Sequence, residues 1–267
     1  GYADMEYPMM INDTSIPDDL QDARLTADHE IAHTYFPFYM GINETRYAYM
    51  DEGWATTLEY LIGIAENGQE SADKFMKNFR VKRWINDSST EQDQPIITMS
   101  SQLSGAGYGN NAYVKSALSY LALKDYLGDD LFKKALHHYM DNWNGKHPIP
   151  WDYFNSINSG SGKNLNWFFN NWFYTNNYID LKIASVMEQD KQLVLTVENV
   201  GGFAVPFDVV LIYDDNTTEK GHFTPAVWEK DQKLTNLNIP VKKKIKSINL
   251  DGGIFMDYTP GDNLKSL

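Results

Sequence analysis

The segment His29-Glu30-Ile31-Ala32-His33 constrains this chain more than any other stretch of its sequence. On an α-helix, residues four apart lie on one face about one turn from each other, so both imidazoles can bind the same metal ion. Glu30 lies beside them and can accept or deliver a proton. A catalytic zinc site uses three protein ligands and keeps one position open, so a third ligand must come from elsewhere in the chain.

The third ligand is predicted on a second helix. In the pattern H-E-x-x-H-x-x-G-x-x-H it follows closely, but Phe36 and Tyr39 occupy the glycine and the last histidine positions here. That pattern is therefore excluded. Glu52 lies 19 residues after His33, early in a segment with helical character, and a glutamate on a helix packed against the first can complete the site.

These residues resemble the signature of the gluzincin zinc aminopeptidases, the family of aminopeptidase N and leukotriene hydrolase. Its members share H-E-x-x-H and, eighteen residues later, a glutamate within an N-E-G-x-A-x-x-x-E-Y-like helix. His29, Glu30, His33 and Glu52 fit, and Asp51 occupies the usual asparagine position. The resemblance implies one Zn²⁺ per chain, bound by His29, His33 and Glu52, with Glu30 as the general base. Asp51 would support the ligands from behind, although a solvated helix residue is an equal alternative.

Two more segments resemble this family. Met5-Glu6-Tyr7-Pro8 matches the core of its G-x-M-E-N segment, which implies that Glu6 binds the free α-amine of a peptide substrate; an exposed edge-strand glutamate is the alternative. Tyr113 matches the tyrosine of a Y-x-K-G-A-like segment, with Ser116 in place of glycine, and its hydroxyl would stabilise the oxyanion. Tyr108, five residues earlier, is a candidate for lining the same pocket.

Helices are predicted on both sides of the motif. Capping residues at 12–19 predict a helix start, and Pro37 should end that helix near Tyr35. The aromatic residues of the basic helix predicted at 70–84 are expected in the core: Phe75, Phe79 and Trp84. Helical spacing predicts the remaining helices. Two lie at 48–66 and 70–84, one ends at Tyr126, and the others run from Leu131 to Tyr139, at 150–159 and at 163–174. The polar residues 85–110 predict a long loop across the cleft.

After Asn176-Asn177 the pattern changes to short β-rich segments, which begin at Leu181, Gln192, Val205 and Lys246. They predict a β-sandwich. Together with the resemblance, the expected fold is multidomain α+β. A thermolysin-like, mainly helical zinc peptidase domain would occupy residues 1–178, and an immunoglobulin-like β-sandwich residues 179–267.

Two acidic turns in this β-rich part contain residue types that also occur in calcium-binding loops. Asp251-Gly252-Gly253 and Asp262-Asn263 do not have the spacing of such a loop. Ordinary turns are therefore expected at both places.

Charge and composition argue against several other classes. The formal net charge is −13 and no long basic run interleaves with aromatic residues, so no nucleic-acid partner is expected. No apolar run approaches the roughly 18 residues of a membrane span. The chain has no cysteine, which excludes disulfides.

The first residues read like the interior of a longer protein. The resemblance implies further domains before this region and possibly after it. It also implies an exported, periplasmic or surface-attached bacterial protein, with the cytoplasm still open.

The expected function is a zinc metallo-aminopeptidase that removes N-terminal residues from peptides with zinc-activated water. Two alternatives stay open. If Glu6 does not face the substrate amine, the same residues would serve an endopeptidase. The second alternative is a non-catalytic peptide-binding module that retains the fold.

Overall fold

The computed structural model describes residues 4–14, 20–86, 92–189 and 191–267. The chain divides into two compact units, Gly1–Asn176 and Asn177–Leu267. Part of the predicted helix start, residues 15–19, and part of the predicted cleft loop, residues 87–91, lie outside the described residues.

The first unit begins with a β-hairpin of strands β1 (Met5–Tyr7) and β2 (Met10–Asn12). The strands are antiparallel, with Glu6 opposite Ile11. Because successive side chains of a strand point to opposite faces, Glu6 is buried while both of its neighbours in β1 are exposed. The hairpin therefore directs one carboxylate inward.

Helix α1 (Leu20–Ala32) carries His29 in its last turn, and His33 directly follows the helix, still in a helical conformation (φ −61°, ψ −15°). It ends three residues before the predicted Tyr35, and the chain continues as a π-helical segment, Thr34–Tyr39. Phe36 within that segment is extended, with φ −133° and ψ 109°. A residue that precedes proline avoids the α-helical region, so Pro37 disrupts the helix already at Phe36.

Helix α2 (Glu44–Tyr47) and a 3₁₀ turn at Ala48–Met50 lead into α3 (Glu52–Asn67), which begins four residues later than predicted. Helix α3 packs against α1 through its buried face. Trp54 is stacked between Phe36 and Tyr120, with ring centroids 5.3 Å and 4.2 Å away. Gly68, at φ 81°, ends the helix.

The predicted helix at 70–84 consists of α4 (Gln69–Phe75), a π-helical segment (Met76–Val81) and α5 (Lys82–Ile85). The prediction that its three aromatic residues lie in the core is wrong for Phe79, which is 61% exposed, and Phe75 is only half-buried. Trp84 is buried. A π-helical turn contains an additional residue, so a side chain within it, such as that of Phe79, leaves the face that α-helical spacing predicts.

The remaining helices of the first unit follow residues 92–104, in which the only regular element described is a 3₁₀ turn at Ser100–Gln102. The predicted loop at 85–110 is shorter than expected, because a short helix begins at Gly105. The helices are α6 (Gly105–Gly109), a π-helical segment (Asn110–Lys115), α7 (Ser116–Leu127), α8 (Asp129–Trp143), α9 (Pro150–Ser161) and α10 (Asn166–Phe173).

Helix α7 approaches α3 closely at one glycine. A Cβ atom on Gly53 would lie 2.4 Å from the Ser116 hydroxyl oxygen, so a larger residue would push the helices apart. Ser116 also donates to the carbonyl of Ala112 at 2.7 Å. Gly53 thus brings the start of α3 and the start of α7 together.

The second unit consists of antiparallel strands in two sheets, with strand orders β3-β4-β7 and β6-β5-β8-β9. The strands are β3 (Leu181–Gln189), β4 (Gln192–Asn199), β5 (Phe207–Tyr213), β6 (Thr218–Phe223), β7 (Leu234–Pro240), β8 (Ile245–Asp251) and β9 (Leu264–Ser266). Strands β4 and β5 alternate between fully and partly buried residues, which is the pattern of a strand with one face in the core.

The sequence prediction missed β6, β7 and β9. All three bury few of their side chains, so their sequences show only a weak apolar pattern. Throughout the described part of the chain, no helix has the length and apolar character required to cross a membrane.

Candidate metal centre

The two histidines of the motif lie side by side and converge on Glu52. Their ring centroids are 4.9 Å apart, and both side chains are buried. The Nε2 atoms of His29 and His33 lie 3.1 Å and 3.5 Å from the same carboxylate oxygen, Oε2 of Glu52. In a tetrahedral zinc site the ligand atoms are about 3.3 Å apart. The donor types and their spacing therefore fit Zn²⁺.

Each histidine is also held through its other ring nitrogen. Nδ1 of His33 lies 2.7 Å from Oδ1 of Asp51 and 2.8 Å from the carbonyl oxygen of Phe36. Nδ1 of His29 lies 3.1 Å from Oε2 of Glu59. When Nδ1 donates its proton to such a partner, Nε2 keeps its lone pair for a metal ion, and the ring is fixed in orientation.

Sequence analysis missed Glu59, although a signal was available. Glu59 follows Glu52 by seven residues on α3, a spacing of two helical turns that returns to the same face. It is almost completely buried. Burial opposes its ionisation, but the charge of Arg80 and the hydrogen bond with His29 outweigh this effect and lower the pKa of Glu59.

Arg80 was missed as well, and no local pattern connects it to the motif. It lies in the π-helical segment Met76–Val81, and its Nη2 donates to Oε2 of Glu59 at 2.6 Å. Its guanidinium also lies 5.6 Å from the ring centroid of Tyr113. Arg80 therefore connects the partner of His29 with the tyrosine on the other side of the site.

Glu30 has the environment of a proton-transfer group. Its carboxylate is buried close to both histidines, and Oε2 has no hydrogen-bond partner among the described residues. Burial raises the pKa of Glu30 to about 7; the charges of His29 and His33 oppose this rise and that of Glu6 adds to it. A carboxyl group that titrates near neutral pH is well suited to general acid–base catalysis.

Tyr113 lies against His29 and Glu52, in the π-helical segment Asn110–Lys115. Its hydroxyl donates to Oε1 of Glu52 at 2.7 Å, and its ring stacks on His29 with centroids 6.1 Å apart. Burial and the charge of Glu52 raise the pKa of Tyr113 far above its usual value, so the hydroxyl stays protonated. Tyr108 is farther out: it is 37% exposed, and its ring centroid is 6.5 Å from that of Tyr113.

Glu6 enters the site from the β-hairpin. Its Oε2 lies 4.0 Å from Nε2 of His33, and its side chain is buried. The cleft has a volume of about 280 Å³, and its lining includes Glu6, Glu30, Glu52 and Tyr113. The structure thus brings the predicted catalytic, metal-binding and amine-binding residues together, with Asp51 behind His33 and Tyr108 at the margin.

The Peptidase family M1 domain matches residues 5–172 of the chain. Among curated proteins, aminopeptidase N of Lactococcus lactis subsp. lactis is 20% identical over 195 residues, which cover 72% of this chain and 23% of that protein. Aminopeptidase M1-A of Oryza sativa subsp. japonica is 24% identical over 201 residues, covering 70% of this chain and 22% of that protein. The chain therefore spans less than a quarter of the length of these relatives.

Solved structures share the fold. Legionella pneumophila aminopeptidase A, crystallised with aspartic acid, superposes with a TM-score of 0.62 at 17% identity and covers 89% of this chain and 27% of its own. A mutant M1 zinc metallopeptidase of Deinococcus radiodurans, bound to a Tyr-Ser-Ala substrate, has a TM-score of 0.52 at 16% identity and covers 65% of this chain and 37% of its own. At these identities the likeness shows the fold alone.

Proposed function

The chain belongs to peptidase family M1, and from this membership we propose that it is a zinc metallopeptidase that removes N-terminal residues from peptides. One observation carries the proposal. The Nε2 atoms of His29 and His33 converge on a single oxygen of Glu52, next to the buried carboxylate of Glu30.

In this proposal His29, His33 and Glu52 hold one Zn²⁺ per chain. When bound, the ion lowers the pKa of a water molecule and polarises the scissile carbonyl group. Asp51 accepts a hydrogen bond from Nδ1–H of His33, and Glu59 accepts one from Nδ1–H of His29, which leaves both Nε2 atoms free to bind the ion.

Glu30 moves the proton. Its carboxylate accepts a proton from the attacking water and delivers it to the amine that leaves. In the metal-free protein burial raises the pKa of Glu30 to about 7, so burial favours the protonated form that can donate to the leaving amine. The Oε2 atom that has no partner among the described residues is available to accept a hydrogen bond from water.

Tyr113 stabilises the negative charge that develops on the carbonyl oxygen. Its hydroxyl remains a donor because burial raises its pKa. With substrate bound, the hydroxyl turns from Glu52 to the oxyanion, where a donor is worth more than in water because the site is partly desolvated.

Glu6 supplies the exopeptidase specificity. A free α-ammonium group needs a fixed anion, and Glu6 offers a buried carboxylate beside His33 at one end of the cleft. Glu30 and Glu52 line the same cleft and make it favourable for a cation. Tyr108 would line the pocket at its outer edge. The substrates are accordingly peptides with a free N-terminus.

We also infer the finer fold assignment. The helical unit is proposed to be a thermolysin-like peptidase domain at residues 1–178, supported by two packed helices that carry the metal ligands. The β unit is proposed to be an immunoglobulin-like sandwich at residues 179–267, supported by its two antiparallel sheets.

The test combines metal content with hydrolysis of an aminoacyl p-nitroanilide. Glu30→Gln should keep near one zinc per chain but reduce turnover by a factor on the order of 10³ or more. Glu70→Gln, an exposed glutamate on α4, is the matched control and should behave like the unmodified protein.

Three results would contradict the proposal in different ways. Full activity of Glu30→Gln would exclude Glu30 as the base. Equal cleavage of N-acetylated and free peptides would favour the endopeptidase. Peptide binding without any hydrolysis by the zinc-loaded protein would favour the binding module.

A further inference from the structure

The second unit contains an acidic cluster of its own. One carboxylate oxygen each of Asp180, Asp257 and Asp262 lies within 4.8 Å of the other two. Asp180 immediately precedes β3, whereas the other two lie in the connection between β8 and β9. The cluster therefore joins two segments that are distant in sequence but adjacent in the fold.

Several oxygen atoms of this cluster are buried without a hydrogen-bond partner. Asp180 is only 4% exposed, and its Oδ1 accepts no hydrogen bond from the described residues. The same holds for Oδ1 of Asp262 and for Oδ1 of its neighbour Asn263, which is 5% exposed. Buried polar atoms nearly always have a partner in folded proteins, so three orphaned acceptors in adjoining residues indicate that a donor or a cation belongs there.

Three other carboxylate oxygens of the cluster are fixed by hydrogen bonds. Asp257 accepts the backbone N–H of Leu181 at 2.7 Å and that of Thr259 at 2.8 Å. The hydroxyl of Thr259 donates to Oδ2 of Asp180 at 3.1 Å. These bonds hold the cluster in place while Oδ1 of Asp180 stays available.

No basic side chain among the described residues forms an ion pair with the cluster, although the charge of Lys182 favours the ionised form of Asp180. The ion pairs described in the second unit use other carboxylates, namely those of Asp208, Asp214, Asp215 and Glu219. Burial raises the pKa of Asp180, and the charge of Asp257 raises it further, against the hydrogen bond from Thr259. The arrangement is thus unfavourable for three carboxylates unless a positive charge joins them.

We propose that Asp180, Asp257 and Asp262 form a Ca²⁺ site, with the side-chain oxygen of Asn263 as a further ligand. The donors are all oxygen atoms, which suits a hard cation and not zinc. Ca²⁺ accepts an irregular set of carboxylate, amide and backbone oxygens, whereas Mg²⁺ requires near-octahedral geometry. A bound ion would fasten the start of β3 to the β8–β9 connection. One backbone hydrogen bond already joins these two segments, from Tyr258 N–H to the carbonyl of Ile179 at 2.9 Å.

This site was not predictable from the spacing of one loop. The sequence around Asp262-Asn263 was expected to be an ordinary turn, because calcium loops take most of their ligands from one short segment. Here the most deeply buried ligand, Asp180, comes from another part of the chain.

The experiment is calorimetric titration of the intact, zinc-saturated chain with CaCl₂, together with thermal melts with and without calcium. Saturation with zinc keeps the first unit's metal centre out of the measurement. The expected result is one calcium per chain, with a Kd on the order of 0.1–1 mM, and a higher melting temperature of the second unit. MgCl₂ should bind at least about tenfold more weakly.

Asp180→Asn should weaken calcium binding by about tenfold or more and abolish the calcium-dependent rise in melting temperature. Asp262→Asn should do the same, and it carries the test if Asp180→Asn does not fold. Asp215→Asn is the matched control, since that exposed aspartate pairs with Lys243 and should leave calcium binding unchanged.

The proposal is overturned if the unmodified chain binds no calcium up to about 10 mM. It is equally overturned if both cluster variants bind calcium like the control. Neither result bears on the peptidase proposal, because hydrolysis is measured separately and depends on the first unit's residues.

Discussion

The two units of this protein place charged side chains in different environments. In the first unit, Glu6, Glu30, Asp51 and Glu59 are all buried around two histidines. In the second unit, Lys242, Lys243 and Lys244 pair with Glu219, Asp215 and Asp214 at the surface. Burial, and not the number of charges, therefore distinguishes a reactive cluster from a solvent-exposed surface. A buried carboxylate must find a proton, a cation or a hydrogen bond, whereas an exposed one is already satisfied by water.

The sharpest test of this contrast is Tyr113→Phe, which removes one hydroxyl from the buried cluster. If that hydroxyl stabilises the oxyanion, kcat should fall by about 10²–10³-fold while zinc content stays unchanged. Steady-state kinetics with an aminoacyl substrate measure the effect. Tyr108→Phe, at the exposed margin, should change kcat by less than about threefold. An equal loss in both variants would mean that general packing, and not the Tyr113 hydroxyl, supports turnover.

Asp51→Asn tests the support behind His33. The carboxylate lies 2.7 Å from Nδ1, and a neutral amide in its place makes the imidazole a weaker ligand. Zinc affinity should fall by about 10–100-fold. Competition with a chromogenic chelator measures the zinc affinity. Asp130→Asn, at an exposed position in the first turn of α8, is the control. Unchanged affinity would show that the carbonyl of Phe36 alone suffices to orient His33.

The pH dependence of zinc binding follows from the raised pKa of His33. Burial lowers this pKa, but Asp51 and Glu52 outweigh burial and raise it to about 11 in the metal-free protein. The proton on His33 therefore stabilises the metal-free fold at every pH below the unfolded value of 6.5, and this contribution disappears as the pH rises through about 11.

Zinc must displace that proton. Its affinity should therefore rise by up to about tenfold per pH unit for each proton displaced. Thermal melts at pH 6, 7 and 8 should show that zinc raises the melting temperature most at pH 8. A zinc effect that does not change with pH would contradict the assignment of His33 as a ligand that is protonated in the metal-free state.

The smallest effect is expected at the surface of the second unit. Lys244 pairs with Asp214 at 2.9 Å, but its side chain is 81% exposed. Such pairs are screened by water and salt, so Lys244→Ala should leave the melting temperature unchanged within error. A clear destabilisation would show that the surface charges of this unit are coupled more strongly than their exposure indicates.

The parts of the site that sequence reasoning reached are those set by local geometry. His33 directly follows α1 in a helical conformation, four residues after His29, so the common face of the two histidines follows from helical periodicity alone. Glu59 was within reach of the same argument, since it lies two turns after Glu52. Arg80 was not, because only the packing of a distant segment brings it within 2.6 Å of Glu59.

The fold shows the same division. Long helices and central strands have strong apolar patterns, and these were predicted with boundaries a few residues off. Strands β6, β7 and β9 were missed because few of their side chains are buried, which leaves no clear apolar pattern. The exposure of Phe79 was missed because the π-helical segment around it changes the helical period.

Two π-helical segments that lie within longer helical stretches adjoin the candidate metal centre: Met76–Val81 contains Arg80, and Asn110–Lys115 contains Tyr113. Such a segment can be viewed as an α-helix that has gained one residue. Deleting one residue would restore the ordinary period and rotate everything beyond the deletion by about 100°. The geometry of this centre therefore depends on the exact length of each helix as well as on its side chains. Related chains with one residue more or fewer at these points would present different groups to the cleft without any substitution.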